Sequence, residues 1–441
     1  MENIFEYLKI NDKSQKKSFI DLITLESNSN HEMFNKSFRP YIYLFKMIIG
    51  IIVSDTTLFL SKKLKSKIEQ ITFVTHYSHI VKVIGLYNIF NDTEFTVLYV
   101  PTFHNEERKK HYDTLKNKNN VIFDFFGLKV FIKSLFLIKD LKRINDLSNE
   151  FPDKKTVFIN ILKYKIYSFY TEKRIRNSNN CTLWIFDNDK SPIFSPLVKE
   201  LNIKNIPTIN LQHGSFFENN LFYSHPITKY TFTCSEREKL IFEKYIPNVE
   251  KEKIKVIGAP LQTFSHNSNN NINSVKIQYD LLVLLTSVSN EKFKEIQRKI
   301  ITTLNELNDL NILVRFRPAS KHLDEALLKS KISNKINISN DTLSNDINNS
   351  KKIITFSFDA LFNCIIDNKQ VIIICDDEKK AQLKPMSCPI CIPFSHIDSL
   401  KSAIYTNNSF DKLNFIWNFG EYNKEIYSLN FKKLCYEIIK S

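Results

Sequence analysis

Ile206-Pro-Thr-Ile-Asn-Leu-Gln-His-Gly-Ser215 joins a short β-like run directly to a polar tripeptide, Gln212-His213-Gly214. Such a run predicts a buried strand, and the tripeptide marks its carboxyl end. In a parallel α/β sheet that end is the edge where ligands bind. Working outward, Thr182–Phe186, Val121–Asp124, Phe95–Tyr99 and Ile71–Thr75 read as strands upstream. Tyr230–Thr233 and Ile254–Ile257 continue the series downstream. Helix-length segments separate the strands, one of them opened by the capping box Ser235-Glu-Arg-Glu238 and ending near Tyr245. Strands alternating with helices predict a doubly wound parallel sheet.

The series breaks at Ser265-His-Asn-Ser-Asn-Asn-Asn-Asn-Ile-Asn-Ser274, a polar stretch without periodicity that reads as a linker over 265–275. A second series begins at once. Asp280–Leu285, Asn311–Arg315, Lys352–Phe356 and Gln370–Ile374 are its strands, and Glu291–Leu307 is its first helix. A helical stretch from Glu421 to Lys440 closes the chain and is able to cross back. The expected organisation is therefore two Rossmann-like α/β domains, 1–264 and 276–441, with a cleft between them. A length of 441 residues suits two cores better than one.

The formal charge is +15, with lysines spread along the chain and a modest cluster at Lys62, Lys63, Lys65 and Lys67. A dense basic run interleaved with aromatics, as nucleic-acid binding usually requires, is missing, so no nucleic-acid partner is expected. The N-terminus is acidic where a secretory signal is positive, and the apolar run Met47–Val53 is far short of a span. A cytoplasmic location is expected. Seven scattered cysteines suit reduced thiols; Cys388-Pro-Ile-Cys391 reads as a strand with two small apolar residues rather than a metal site. Only six glycines occur, and Gly214 and Gly258 each come after a strand, where close backbone approach is needed. On a helix, Gly127–Asp146 places Lys129, Lys133, Asp140 and Arg143 on one stripe and Phe131, Leu135, Ile138 and Leu141 on another. Such a helix either covers the sheet as a crossover or lies weakly on an anionic membrane at its inner face.

His213, at a strand end beside a glycine, suits a general base near neutral pH, or else caps the next helix. Asp187 and Asp189 in Trp184-Ile-Phe-Asp-Asn-Asp189 orient that histidine or a sugar hydroxyl, or N-cap the helix beginning at Pro192. In the second half, Val314-Arg-Phe-Arg-Pro318 puts Arg315 and Arg317 on one pleated face, suited to phosphate. Thr355-Phe-Ser-Phe-Asp359 places Ser357 and Asp359 at a helix N-terminus, an anion site or a simple cap.

The order Asp189, Ile206–Gly214, Tyr230-Thr-Phe-Thr-Cys-Ser-Glu236 and Ile254-Lys-Val-Ile-Gly-Ala-Pro260 resembles bacterial surface-polysaccharide transferases of the glycosyltransferase-B fold, including capsule, lipopolysaccharide and teichoic-acid enzymes. The resemblance spans roughly residues 180 to 375. It implies an inverting, metal-independent glycosyltransferase without a cofactor. His213 and Asp189 would be catalytic, with a CMP-, CDP- or UDP-activated sugar on Arg315, Arg317, Ser357, Asp359 and Gly258. A growing surface glycan or lipid-linked acceptor would sit near Gln212 and Asp187 in the first domain. The family usually has His-Pro where this chain has Arg317-Pro318, and often a Ser-Ser or Ser-Thr pair at Ser357-Phe358. Rival readings are a CDP-polyol phosphotransferase of teichoic type and a non-enzymatic basic nucleic-acid-binding protein. Sugar-nucleotide 2-epimerases share the architecture, but their His-Val-Glu-Ala-Gly-Leu-Arg segment is absent.

Overall fold

Seven strands, β1 (Ile71–Thr75), β2 (Thr96–Tyr99), β3 (Val121–Phe123), β4 (Leu183–Phe186), β5 (Thr208–Leu211), β6 (Tyr230–Thr233) and β7 (Ile254–Val256), form one wholly parallel sheet in the order β3-β2-β1-β4-β5-β6-β7. A second parallel sheet runs β10-β9-β8-β11-β12-β13, from β8 (Tyr279–Leu285), β9 (Ile312–Phe316), β10 (Asn337–Ile338), β11 (Ser350–Thr355), β12 (Gln370–Cys375) and β13 (Ile390–Pro393). These are two Rossmann-like domains of doubly wound topology, each with a switch point, between β1 and β4 and between β8 and β11. The computed structural model describes residues 2–10, 16, 19, 40–59, 71–76, 80–91, 93–102, 113–115, 117–118, 120–151, 153–176, 182–187, 191–212, 217–218, 227–245, 250–265, 277–286, 291–316, 328–366 and 369–441. The expected linker, from residue 266 on, lies outside them.

The central strands are buried on both faces, which is why they read as continuous apolar runs instead of alternating ones. Alternate residues nevertheless sort into separate cores. Phe73, Val97, Phe123 and Ile185 enter one cluster, while Val74, Leu98, Ile122 and Trp184 enter another on the opposite face. On that opposite face lie α1 (Glu2–Leu8) and α2 (Pro40–Phe59), which the sequence left unassigned. The helix α3 (Ile80–Ile89) comes after β1.

The segment after β3 differs from expectation. It is not one amphipathic helix but α4 (Leu128–Phe136), a 3-10 turn (Leu137–Asp140) and α5 (Leu141–Ser148). Val130, Ser134, Leu137, Leu141 and Ile144 point inward, one continuous stripe at 4-3-4-3 spacing that lies one position round the helix from the expected one. Leu135 and Ile138, expected on the same stripe as Leu141, point outward. Both α2 and α4 pack near α6 (Lys154–Arg176), and α7 (Ser195–Ile203) completes that layer.

The capping box forms as read. α8 (Glu236–Tyr245) is opened by Ser235, whose Oγ accepts from Glu238 N at 3.3 Å, while Glu238 Oε2 accepts from Cys234 N at 3.1 Å. In the second domain α9 (Glu291–Asn305), α10 (Leu343–Asn348), α11 (Phe358–Ile366), α12 (Asp377–Ala381) and α13 (Leu400–Tyr405) flank the sheet.

Two final helices follow: α14 (Lys412–Phe419) packs on the second domain at the seam, and α15 (Lys424–Lys440) returns to the first domain. Phe431 of α15 stacks on Phe73 of β1, 5.7 Å between centroids and 17° between planes. Lys432 Nζ meets Glu94 at 2.7 Å. One hydrophobic cluster therefore runs through both domains, from Phe73 and Ile209 to Ile353 and Val371.

The return depends on two glycines. Gly258, after β7, has φ +114°, and a Cβ there would sit 2.5 Å from the Glu421 carbonyl oxygen. Gly420, after α14, has φ +101°, and a Cβ there would sit 2.0 Å from the Cys234 oxygen. Ala259 N donates to Glu421 O at 2.7 Å across this contact. Only residues without a side chain let the two backbones approach so closely.

Candidate functional site

Parallel strands deliver their last residues to one edge, so the site is built from the residues just past β1, β4 and β5 in one domain and past β8 and β11 in the other. At the first switch point Thr75 ends β1 and Asp187 comes directly after β4. Thr75 Oγ1 donates to Asp187 Oδ2 at 2.9 Å, and Lys82 Nζ of α3 lies 3.6 Å from the same oxygen. Thr75, Lys82 and Asp187 are all buried. A carboxylate and a lysine amine thus lie side by side inside the protein, braced by a hydroxyl. Burial, then the charge of Asp187, pushes the Tyr99 hydroxyl well above its ordinary range, so it stays protonated. A small pocket with room for about one water, walled mostly by apolar side chains such as Phe73, Val83, Leu86, Leu211 and Leu261, meets Thr75, Lys82 and Asp187. His76, directly after β1, stacks on Phe194 with 5.5 Å between ring centroids. Gln212 comes directly after β5, one strand along, buried, its N donating to Phe232 O at 3.0 Å.

The chain beyond Gln212 re-enters the described residues at Phe217, which sits at the seam between the domains. Phe217 lies 4.9 Å from the Phe358 ring at the start of α11, and the Arg237 guanidinium lies 4.2 Å over it. Glu218 N donates to Gln382 Oε1 of the second domain at 2.8 Å. Arg237 is itself buried, donating from Nε to Asn418 O at 3.0 Å and from Nη2 to Glu238 at 3.3 Å. Gln212 and Phe217, the described residues on either side of His213 in the chain, thus stand at the carboxyl edge of the first sheet and against the second domain respectively. His213, Asp189 and Arg317 themselves lie outside the described residues.

In the second domain Ser357 stands exposed two residues past Thr355. Its N donates to Thr355 Oγ1 at 3.0 Å, and its Oγ accepts from Ala360 N at 3.4 Å, capping α11. Asp359 falls in the first turn of α11. That N-terminus, beside the β8–β11 switch point, carries the partial positive charge and free N–H groups that suit an anion. Arg315 stands near the end of β9 but is engaged within its own domain. Its Nη1 reaches Asp346 Oδ2 at 2.7 Å, the Asp341 carbonyl at 2.6 Å and Ser339 Oγ at 3.3 Å. Gly258 belongs to the glycine contact with Glu421. Sequence places Asp187, Gln212, Ser357 and Asp359 at strand or helix ends on the ligand edges, whereas Arg315 and Gly258 face local partners.

Neither a family model nor a curated protein matches the chain. Solved structures do share its shape. UDP-GlcNAc 2-epimerase from Neisseria meningitidis bound to UDP-GlcNAc overlays with a TM-score of 0.53 at 11% identity, over 83% of this chain and 99% of that one. The corresponding protein from Methanocaldococcus jannaschii gives 0.52 at 14% identity over 83% and 99%. That from Rickettsia bellii gives 0.51 at 12% identity over 85% and 98%. The chain has the glycosyltransferase-B fold. Thr75, His76 and Lys82 escaped the sequence reading of this cleft, although the strand Ile71–Thr75 was legible. The signal available was a strand ending in Thr-His, with a lysine placed early in an otherwise apolar helix. Arg237 was visible only as a helix residue, because its seam partners lie about 180 residues away in the chain.

Proposed function

We propose that this chain is a glycosyltransferase using a nucleotide-activated sugar, with the nucleotide held by the second domain and the acceptor by the first. The observation that carries this reading is the pocket at the first switch point, lined by Asp187, Lys82 and Thr75. Across the seam from it, joined through Phe217 and Phe358, stands the capped N-terminus of α11. One half offers polar groups for a sugar hydroxyl and the other an anion cradle for a leaving phosphate. In the proposed reaction His213, assisted by Asp189, takes the proton of an acceptor hydroxyl. The freed oxygen attacks the anomeric carbon from the face opposite the nucleotide, and the bond to the phosphate oxygen breaks with inversion. Ser357, the α11 N-terminus and Arg317 stabilise the departing phosphate. Arg315 acts by fixing the β9 end through Asp346. The acceptor is a growing bacterial surface glycan, of capsule or lipopolysaccharide type, or a lipid-linked glycan, reached from the inner membrane face. The donor is of UDP, CDP or CMP type, with no metal.

The likeness to UDP-GlcNAc 2-epimerases favours a second reading, epimerisation of a UDP-sugar. Proton NMR of UDP-GlcNAc incubated with the protein alone separates the two. Epimerisation yields a second UDP-sugar without an acceptor. Transfer leaves the sugar's configuration at C2 unchanged and releases UDP only when an acceptor is supplied. Thermal-shift measurements with CMP, CDP, UDP and GDP identify the donor class, since a ligand of the folded state raises its melting point.

A further inference from the structure

Over residues 40–53 the helix α2 is apolar on both its inward and its outward side, Lys46 apart. Leu44, Met47, Ile48 and Ile51 fall at helical spacing and enter the core. Tyr41, Phe45 and Ile49, also at i, i+4 spacing, point out, and Phe45 is 64% exposed. A soluble surface helix carries polar residues on its outward face. Against α2 packs α4, whose outward face is apolar too: Leu128 is 72% exposed, Phe136 60% and Ile132 44%. Two neighbouring helices thus each keep several large apolar side chains on their outward side, as interaction surfaces do. Exposed lysines accompany it. Lys46 lies over the Tyr43 ring and Lys139 over the Phe136 ring, with Lys129 in the first turn of α4. Of the acids nearby, Asp140 accepts from Tyr7 Oη and Glu172 is paired with Lys133.

We infer that this α2–α4 face seats the protein on an anionic bilayer surface, its apolar side chains among the acyl chains and its lysines on the headgroups. No helix among the described residues is long and apolar enough to cross a membrane, so the helices lie along the interface. A second copy of the chain fits less well, because a two-fold contact sets the same patch against itself and brings like charges together. Position also favours a membrane. α4 begins five residues after β3, so Leu128 and Lys129 stand at the carboxyl edge that also carries Asp187 and Gln212. The inference rests on the proposed function only for the acceptor, a glycan held by a lipid at that edge.

The test is flotation of the full chain with vesicles of phosphatidylglycerol and phosphatidylethanolamine, or of phosphatidylcholine alone. The protein should float with the anionic vesicles and far less with the neutral ones. Phe45→Asp with Phe136→Asp should lower partitioning roughly tenfold or more at an unchanged circular dichroism spectrum. Leu413→Asp, at an exposed apolar site of the second domain, should leave it unchanged. Replacing Lys46, Lys129 and Lys139 by Gln should weaken binding at low salt, by as much as about a hundredfold. Absence from anionic vesicles, or equal binding by the double variant, overturns the inference. So does a dimer, seen by light scattering, that the double variant dissolves while no chain floats. Calorimetry with UDP, CDP and CMP separates this from the enzyme reading. Nucleotide binding without flotation overturns the platform alone, and flotation without nucleotide affinity leaves the platform standing and overturns the enzyme.

Discussion

Gly420→Ala tests how the two domains are joined, because the chain supplies its own control. Gly420 has φ +101° and ψ +166°, and Gly127 has φ +80° and ψ +161°, the same region that only glycine occupies readily. Alanine at either site takes on a similar strain, about 1–3 kcal/mol. The space around them differs. At Gly127 the nearest atom to a new Cβ is a Phe125 ring carbon at 3.4 Å, ordinary contact, whereas at Gly420 it is the Cys234 oxygen at 2.0 Å. Relieving that overlap requires the seam to open by roughly 1 Å, to restore van der Waals separation. The hydrogen bond from Ala259 N to Glu421 O and that from Arg237 to Asn418 O then lengthen out of range. A neutral bond contributes about 1 kcal/mol and one from a charged donor about 1.5–3. Gly420→Ala should therefore destabilise by roughly 3.5–7 kcal/mol and Gly127→Ala by roughly 1–3. Urea unfolding followed by tryptophan fluorescence measures both. The only two tryptophans, Trp184 in β4 and Trp417 in α14, report one domain each when studied in single-tryptophan variants. Coincident transitions should separate in Gly420→Ala and stay together in Gly127→Ala. Equal losses in the two variants, with probes that never separate, would refute the seam as argued.

Arg315→Ala should cost about 3–5 kcal/mol, since it leaves the Asp346 carboxylate buried without its cation; removing both partners should restore much of that in urea melts. Calorimetry on the folded Arg315→Ala/Asp346→Ala variant should give wild-type nucleotide affinity, whereas Arg317→Ala should weaken it. His213→Ala should lower turnover about a hundredfold or more with donor binding intact, and near-normal turnover would leave the histidine a cap. Burial pushes the Cys391 thiol up to about 11 and Cys375 to about 12. Both folded values exceed that of an unfolded thiol, so their stabilisation is full below about pH 8.5 and is lost as pH rises through the folded values. Urea midpoints should fall over that window, and a thiol reagent at about pH 8, near the ordinary thiol range, should find both silent until the protein unfolds.

The fold was legible because parallel strands buried on both faces leave apolar runs that no surface helix imitates; Ile71–Thr75 and Thr182–Phe186 are of this kind. β10 and β13 were harder, being a two-residue exposed edge in one case and a short run set directly after Pro389 in the other. Residues 2–8 and 40–59 could not be placed from sequence. Residues 40–53, apolar almost throughout, carry no periodicity to say which face is covered. Strand ends told where Gln212, Asp187 and Ser357 lie, since position along a parallel strand fixes the edge. They could not tell that Arg315 turns to Asp346 or that Gly258 meets Glu421. Those partners are set by tertiary contacts 31 and about 160 residues away in the chain.

Sugar transfer itself is the most direct measurement. The protein is incubated with UDP-, CDP- and CMP-sugars and a lipid-linked glycan fraction, and both nucleotide and glycan are followed by mass spectrometry and NMR. The account predicts that one donor releases its nucleotide only with acceptor present, the glycan gaining one sugar with inverted anomeric configuration. A donor converted to its C2 epimer with no nucleotide released, or a phosphodiester in place of a glycosidic bond, would contradict it.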